Sequence, residues 1–110
     1  MEAVPYYEKA IHLGLDDHGL QGAYIGLGST YRSLGKYEES LRVFRVGIER
    51  FPDNKAMTVF YSMTLYNLNE HSKAMELLLT CIGDVSEDAT LEPYKKAIAF
   101  YSKQLDTVWQ

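Results

Sequence analysis

Histidines, a cysteine and two glycine-containing stretches are the places where chemistry in this sequence would have to start. The histidines are His12, His18 and His71. No two stand four apart, the spacing that turns two imidazoles toward one metal on a helix. Asp16-Asp17-His18 gathers three groups of ligand type, but a solvated loop ending in a helix cap explains the run better than a metal does. Gly26-Leu27-Gly28-Ser29-Thr30-Tyr31 carries two glycines of a dinucleotide turn. A tyrosine stands where the third belongs, and no strand pattern precedes it. Gly35-Lys36 is followed by Tyr37, and Thr30 occupies the place of a phosphate loop's first glycine, so that motif fails too. Cys81 is the single thiol. No serine has a histidine or aspartate in register to activate it. The sequence therefore predicts no catalytic residue, no metal site and no cofactor, and the chain reads as a non-enzyme.

The composition narrows the partners. Of 110 residues, 46% are hydrophobic and 24% charged, which is globular rather than disordered. A net charge of −4 lacks the basic footprint that phosphate binding requires, so no nucleic acid is expected. One cysteine permits no intrachain disulfide and fits a reducing compartment. Met1-Glu2-Ala3-Val4-Pro5 does not read as a secretory start, and no apolar run approaches the roughly 18 residues of a bilayer span. A soluble, cytoplasmic protein with no membrane contact is expected.

The elements that would position these residues repeat. Ser40-Leu41-Arg42-Val43-Phe44-Arg45-Val46-Gly47-Ile48 lies over Ala74-Met75-Glu76-Leu77-Leu78-Leu79-Thr80-Cys81-Ile82 at an offset of 34 residues. The same offset sets Gly28 over Ser62, Tyr31 over Leu65, Leu34 over Leu68 and Gly35 over Asn69. The last two accept the left-handed conformation of a tight interhelical turn. Within the first unit Tyr24, Leu27, Gly28, Tyr31 and Leu34 recur at three and four, as do Leu41, Phe44, Ile48 and Phe51. Those are two helical stripes, broken at Gly35-Lys36 and stopped by Pro52-Asp53-Asn54. The second unit runs Lys55 to Leu68, then His71 to about Gly83. Turns this short force antiparallel hairpins.

Tyr24, Leu27-Gly28, Tyr31, Gly35, Tyr37, Ser40, Phe44, Gly47 and Pro52 resemble the tetratricopeptide signature across one whole repeat. The second repeat resembles it at Ser62, Leu65, Ala74, Leu78 and Cys81, while Thr58 replaces a bulky residue and Ser86 the final proline. Tyr6 to Ile11 resembles the second helix of a preceding repeat, joined to the next through Gly14-Leu15-Asp16-Asp17. At the other end Thr90 is placed as a helix cap, with Pro93 in the first turn. Leu91, Tyr94, Ile98, Tyr101, Leu105 and Val108 then form the stripe of a helix seated on one neighbour. In size the chain resembles the short stand-alone tetratricopeptide proteins of bacteria. The resemblance implies an all-α fold, an α-α superhelix of helix hairpins in one domain. Its parts are a half repeat at 3–16, repeats at 21–54 and 55–88, and a capping helix at 90–108.

The resemblance further implies an interaction module for a protein or peptide held in the concave groove. In this family the first helix of each pair lines that groove, and the matching positions here are Gly22, Ile25, Ser29, Arg32 and Ser33, then Ala56, Val59, Met63, Tyr66 and Asn67. Half are apolar or aromatic, and Arg32 carries the one formal charge, so Arg32 and Asn67 are the expected polar anchors. Ile25 and Ser29 stand where chaperone-tail clamps carry polar residues, so that subclass is set aside. The alternative is a self-associating module whose groove is filled by its own terminal helix or by a second copy in a homodimer. Gly22 and Gly26, four apart, bear on both readings: each costs about 1 kcal/mol against alanine in a helix. Such a cost points to close approach, by the Tyr6-Tyr7 helix or by a ligand strand.

Overall fold

A computed structural model describes residues 3–85 and 87–103 of the chain. Of these, 80% are helical, and no strand occurs among them. The helices are α1 (Ala3–His12), α2 (Asp17–Ser33), α3 (Tyr37–Arg50), α4 (Lys55–Asn67), α5 (His71–Val85) and α6 (Lys95–Ser102). A short 3-10 turn, Glu92–Tyr94, precedes α6.

The two hairpin turns are built alike. Gly35 has φ +75° and Asn69 φ +65°. Lys36 N donates to Tyr31 O at 2.9 Å, and 34 residues on Glu70 N donates to Leu65 O at 2.9 Å. Gly35 N to Arg32 O and Asn69 N to Tyr66 O complete the pair, the bonding of a left-handed helix end that satisfies carbonyls otherwise left without donors. Asn69 replaces glycine here because its short amide side chain tolerates that backbone.

α2 begins at Asp17 rather than near Gln21, and the capping chemistry explains the extra turn. Asn54 caps α4, its Oδ1 accepting from Met57 N at 3.0 Å. The residue 34 positions earlier is Leu20, which has no oxygen to offer. The helix therefore runs back to Asp16, whose Oδ1 accepts from Gly19 N at 2.8 Å. The added turn buries Leu20 against Tyr24 and Met57.

Packing follows from small residues at the crossings. Phe44 is 0% exposed, and a Cβ at Gly28 would lie 2.5 Å from its ring. Ser40 Oγ donates to Gly28 O at 2.8 Å and lies 2.9 Å from Thr64 Oγ1. The serine proton being committed to the carbonyl, Thr64 donates to Ser40, and one buried chain of bonds ties α2, α3 and α4. A second core joins Leu41, Leu65 and Ala74.

Each helix packs on the next, and α2 also meets α4. Among the described residues α3 and α5 make no such contact, and α6 rests on α5 without reaching α4. The C-terminal region differs from expectation in its cap. Asp88 Oδ1 accepts from Thr90 N at 2.8 Å and from the Thr90 hydroxyl, so the aspartate organises the turn and Thr90 caps nothing. Those bonds also hold the Asp88 carboxyl below its ordinary range. Leu105 and Val108 of the expected stripe, and Ser86 in place of the signature proline, lie outside the described residues.

Candidate interaction face

The face shared by α2 and α4 holds the groups singled out by sequence. Gly22, Ser33, Ala56, Met63 and Tyr66 are exposed, while Ile25, Ser29, Arg32, Val59 and Asn67 are half-buried. The two polar anchors meet each other: Arg32 Nε donates to Asn67 Oδ1 at 2.7 Å across 35 residues of sequence. That bond joins the last turn of α2 to the last turn of α4 and fixes where each head group points. Ser29 Oγ is buried without a hydrogen-bond partner among the described residues.

Gly22 and Gly26 separate. A Cβ at Gly26 would stand 2.3 Å from Tyr7 Cζ, so the close approach is by α1 of the chain itself. At Gly22 nothing among the described residues lies within 4 Å of a would-be Cβ.

Tyr66 is 61% exposed, its ring 4.8 Å from that of His71. Beneath it lies a pocket of about 260 Å³ lined by Arg32, Ser62, Met63, Tyr66, His71, Ala74, Met75 and Leu78. The pocket brings together Arg32, Met63 and Tyr66 and leaves out Gly22, Ile25, Ser29, Val59 and Asn67. His71, Met75 and Leu78 are lining residues the sequence reading did not single out. Their signal was present: Met75, Leu78, Ile82 and Val85 recur at three, four and three beside the inward Ala74, Leu77 and Cys81. α5 thus carries more apolar surface than one neighbour needs.

The reactive groups stay apart. Asp16 is engaged as a cap, Cys81 is buried with burial pushing its thiol up, and no three His, Cys, Asp or Glu side chains converge among the described residues. No described helix is long and apolar enough to cross a membrane.

The family profile described as "Tetratrico peptide repeat" matches residues 1–105. The chain belongs to the tetratricopeptide-repeat family. Tetratricopeptide repeats in general mediate protein–protein interaction, and the family is typically non-enzymatic. No curated protein matches the chain.

Proposed function

We propose that the α2/α4 face binds a protein or peptide partner, with Tyr66 and the pocket below it at its centre. The observation that carries this reading is an aromatic residue of α4 left 61% exposed over an apolar pocket that α4 and Arg32 of α2 share with α5. A tyrosine in that state brings contact area and one hydroxyl at little ordering cost. The packing supports a concave side: among the described residues the backbones of α2 and α4 approach each other closely while those of α3 and α5 do not and share only the cluster around Leu65, so the stack closes toward the α2/α4 layer. Gly22, Ile25, Ser29, Arg32, Val59, Met63 and Asn67 complete the proposed surface, and the units 21–54 and 55–88 are its two repeats. A cytoplasmic scaffold without nucleic-acid or membrane partners goes with it.

The test is Tyr66→Ala, with Asn67 left in place because it holds Arg32. The variant is expected to keep its thermal midpoint. Its capture of the natural partner from the source cell should weaken by at least about tenfold, or ~1.4 kcal/mol. Unchanged capture with an unchanged midpoint moves the site to another face. The rival reading is a homodimer, and a solution mass of twice the monomer that Tyr66→Ala restores to one would favour it.

A further inference from the structure

Arg32, half-buried in the last turn of α2, leaves most of its hydrogen-bonding capacity unused. A guanidinium carries five N–H donors and no acceptor. Nε donates to Asn67 Oδ1 at 2.7 Å, and among the described residues the Nη hydrogens meet no acceptor. Nor does Arg32 join the ion pairs of those residues, which are Arg42–Glu39, Lys55–Asp84 and Lys95–Glu92. The side chain lines the pocket under Tyr66, and no aspartate or glutamate lines it with Arg32. Ser62 in that lining is already engaged, its Oγ donating to Thr58 O at 2.9 Å. Tyr66 and His71 contribute rings 4.8 Å apart, and the remaining lining residues are apolar.

The charge of this pocket is thus gathered in one cation of fixed orientation. With Nε held by Asn67, the free edge of the fork is the pair Nη1 and Nη2, whose parallel N–H groups match a planar pair of oxygens. A carboxylate supplies that pair with a single negative charge. A phosphate monoester would bring about two charges against one. An extended peptide would bring backbone amides for which methionine and leucine side chains have no partner. The occupant that leaves nothing unpaired is an apolar chain whose polarity sits in one carboxylate. A dry apolar cavity of about 150 Å³ holds a benzene ring, so about 260 Å³ takes a chain of roughly six to ten carbons.

We propose that the pocket under Tyr66 binds a small monocarboxylic acid, its carboxylate on the Nη edge of Arg32 and its apolar chain against Met63, Met75 and Leu78. Asn67 is a positioning residue in this site, acting on the acid through Arg32 Nε. The proposal does not rest on a protein partner at the α2/α4 face, because the chain binds the acid with no partner present.

The probe is sodium hexanoate, titrated into the full chain and followed through methionine and leucine methyl resonances, with hexan-1-ol as the uncharged control. Saturable shifts are expected at Met63, Met75 and Leu78, and hexan-1-ol should bind at least about tenfold more weakly. Arg32→Gln should erase the preference for hexanoate and leave hexan-1-ol binding unchanged, a split that loss of packing alone would not give. Asn67→Ala should weaken hexanoate more than hexan-1-ol. Should Arg32→Gln fail to fold, Met63→Glu at an exposed position tests the same charge, and hexanoate should again lose its preference. Equal affinity for the acid and the alcohol in the unmutated chain would overturn the proposal. So would shifts centred on Ile82, Val85 and Phe100, the mark of an amphiphile spreading over exposed apolar surface. Absence of saturable shifts would overturn it as well.

Discussion

Gly22 and Gly26 lie one turn apart on α2, and a methyl group added at each meets different surroundings. At Gly22 the space is open, so Gly22→Ala gains helix propensity with nothing displaced and should stabilise the chain by roughly 0.5–1 kcal/mol. At Gly26 the same methyl meets the Tyr7 ring at 2.3–2.8 Å. Overpacking of about 1–3 kcal/mol then outweighs the propensity gain. Gly26→Ala should therefore destabilise, and Tyr7→Ala should remove most of that cost, a coupling that urea denaturation of the four proteins would show. Additive losses would mean Tyr7 is not the obstacle. Phe44, sealed over Gly28, should cost roughly 3–5 kcal/mol on truncation to alanine, read as a lowered thermal midpoint. Phe44 was legible in the sequence because its neighbours are local and its spacing is periodic. The Arg32–Asn67 bond was not, since its geometry depends on how two helices 35 residues apart cross. Nor could the sequence say which glycine meets α1, because that depends on the path of the loop between them.

Helix ends decide the lengths of the elements, and they do so through single side chains. Gly35 has φ +75° with open space around a would-be Cβ, so Gly35→Ala should cost about 1–2 kcal/mol from backbone strain alone. Asn69→Gly at the equivalent turn should be neutral or slightly stabilising, because asparagine already occupies the left-handed region there. Chemical denaturation of the two variants checks both signs, and a stabilised Gly35→Ala would sink the turn assignment. The hairpins were readable because turn chemistry is written in one residue each. The start of α2 was misplaced by four residues because the 34-residue register points to Leu20, while the backbone needs an acceptor and finds it at Asp16. Thr90 was misassigned for a similar reason: Asp88, two residues earlier, offers the stronger acceptor and takes both Thr90 donors. The apolar excess on α5 was visible as residues, but its openness depends on where α6 sits, which no local pattern encodes.

At the scale of the molecule the described chain extends 52 × 28 × 19 Å with a radius of gyration of 15.9 Å, against about 13 Å for a compact domain of ~100 residues. A stack of this shape owes its stability to neighbour interfaces rather than to one central core. The buried bonds concentrate where α2, α3 and α4 meet, while α1 touches only α2 and α6 only α5 among the helices. Native-state hydrogen exchange should therefore be slowest in α2–α4 and fastest in α1 and α6, a gradient along the chain. Uniform protection would show a single cooperative unit instead. The same neighbour-only packing bears on how the protein is made. Among the described residues every helix finds its partners within the next two elements, so loop closure there is short. As the polypeptide leaves the ribosome, the hairpin of α2 and α3 can close as soon as Arg50 has emerged, and α4 docks on a surface already formed. The apolar stripe of α3 is thus covered within one helix of being synthesised, whereas Met75, Ile82 and Val85 on α5 stay exposed among the described residues.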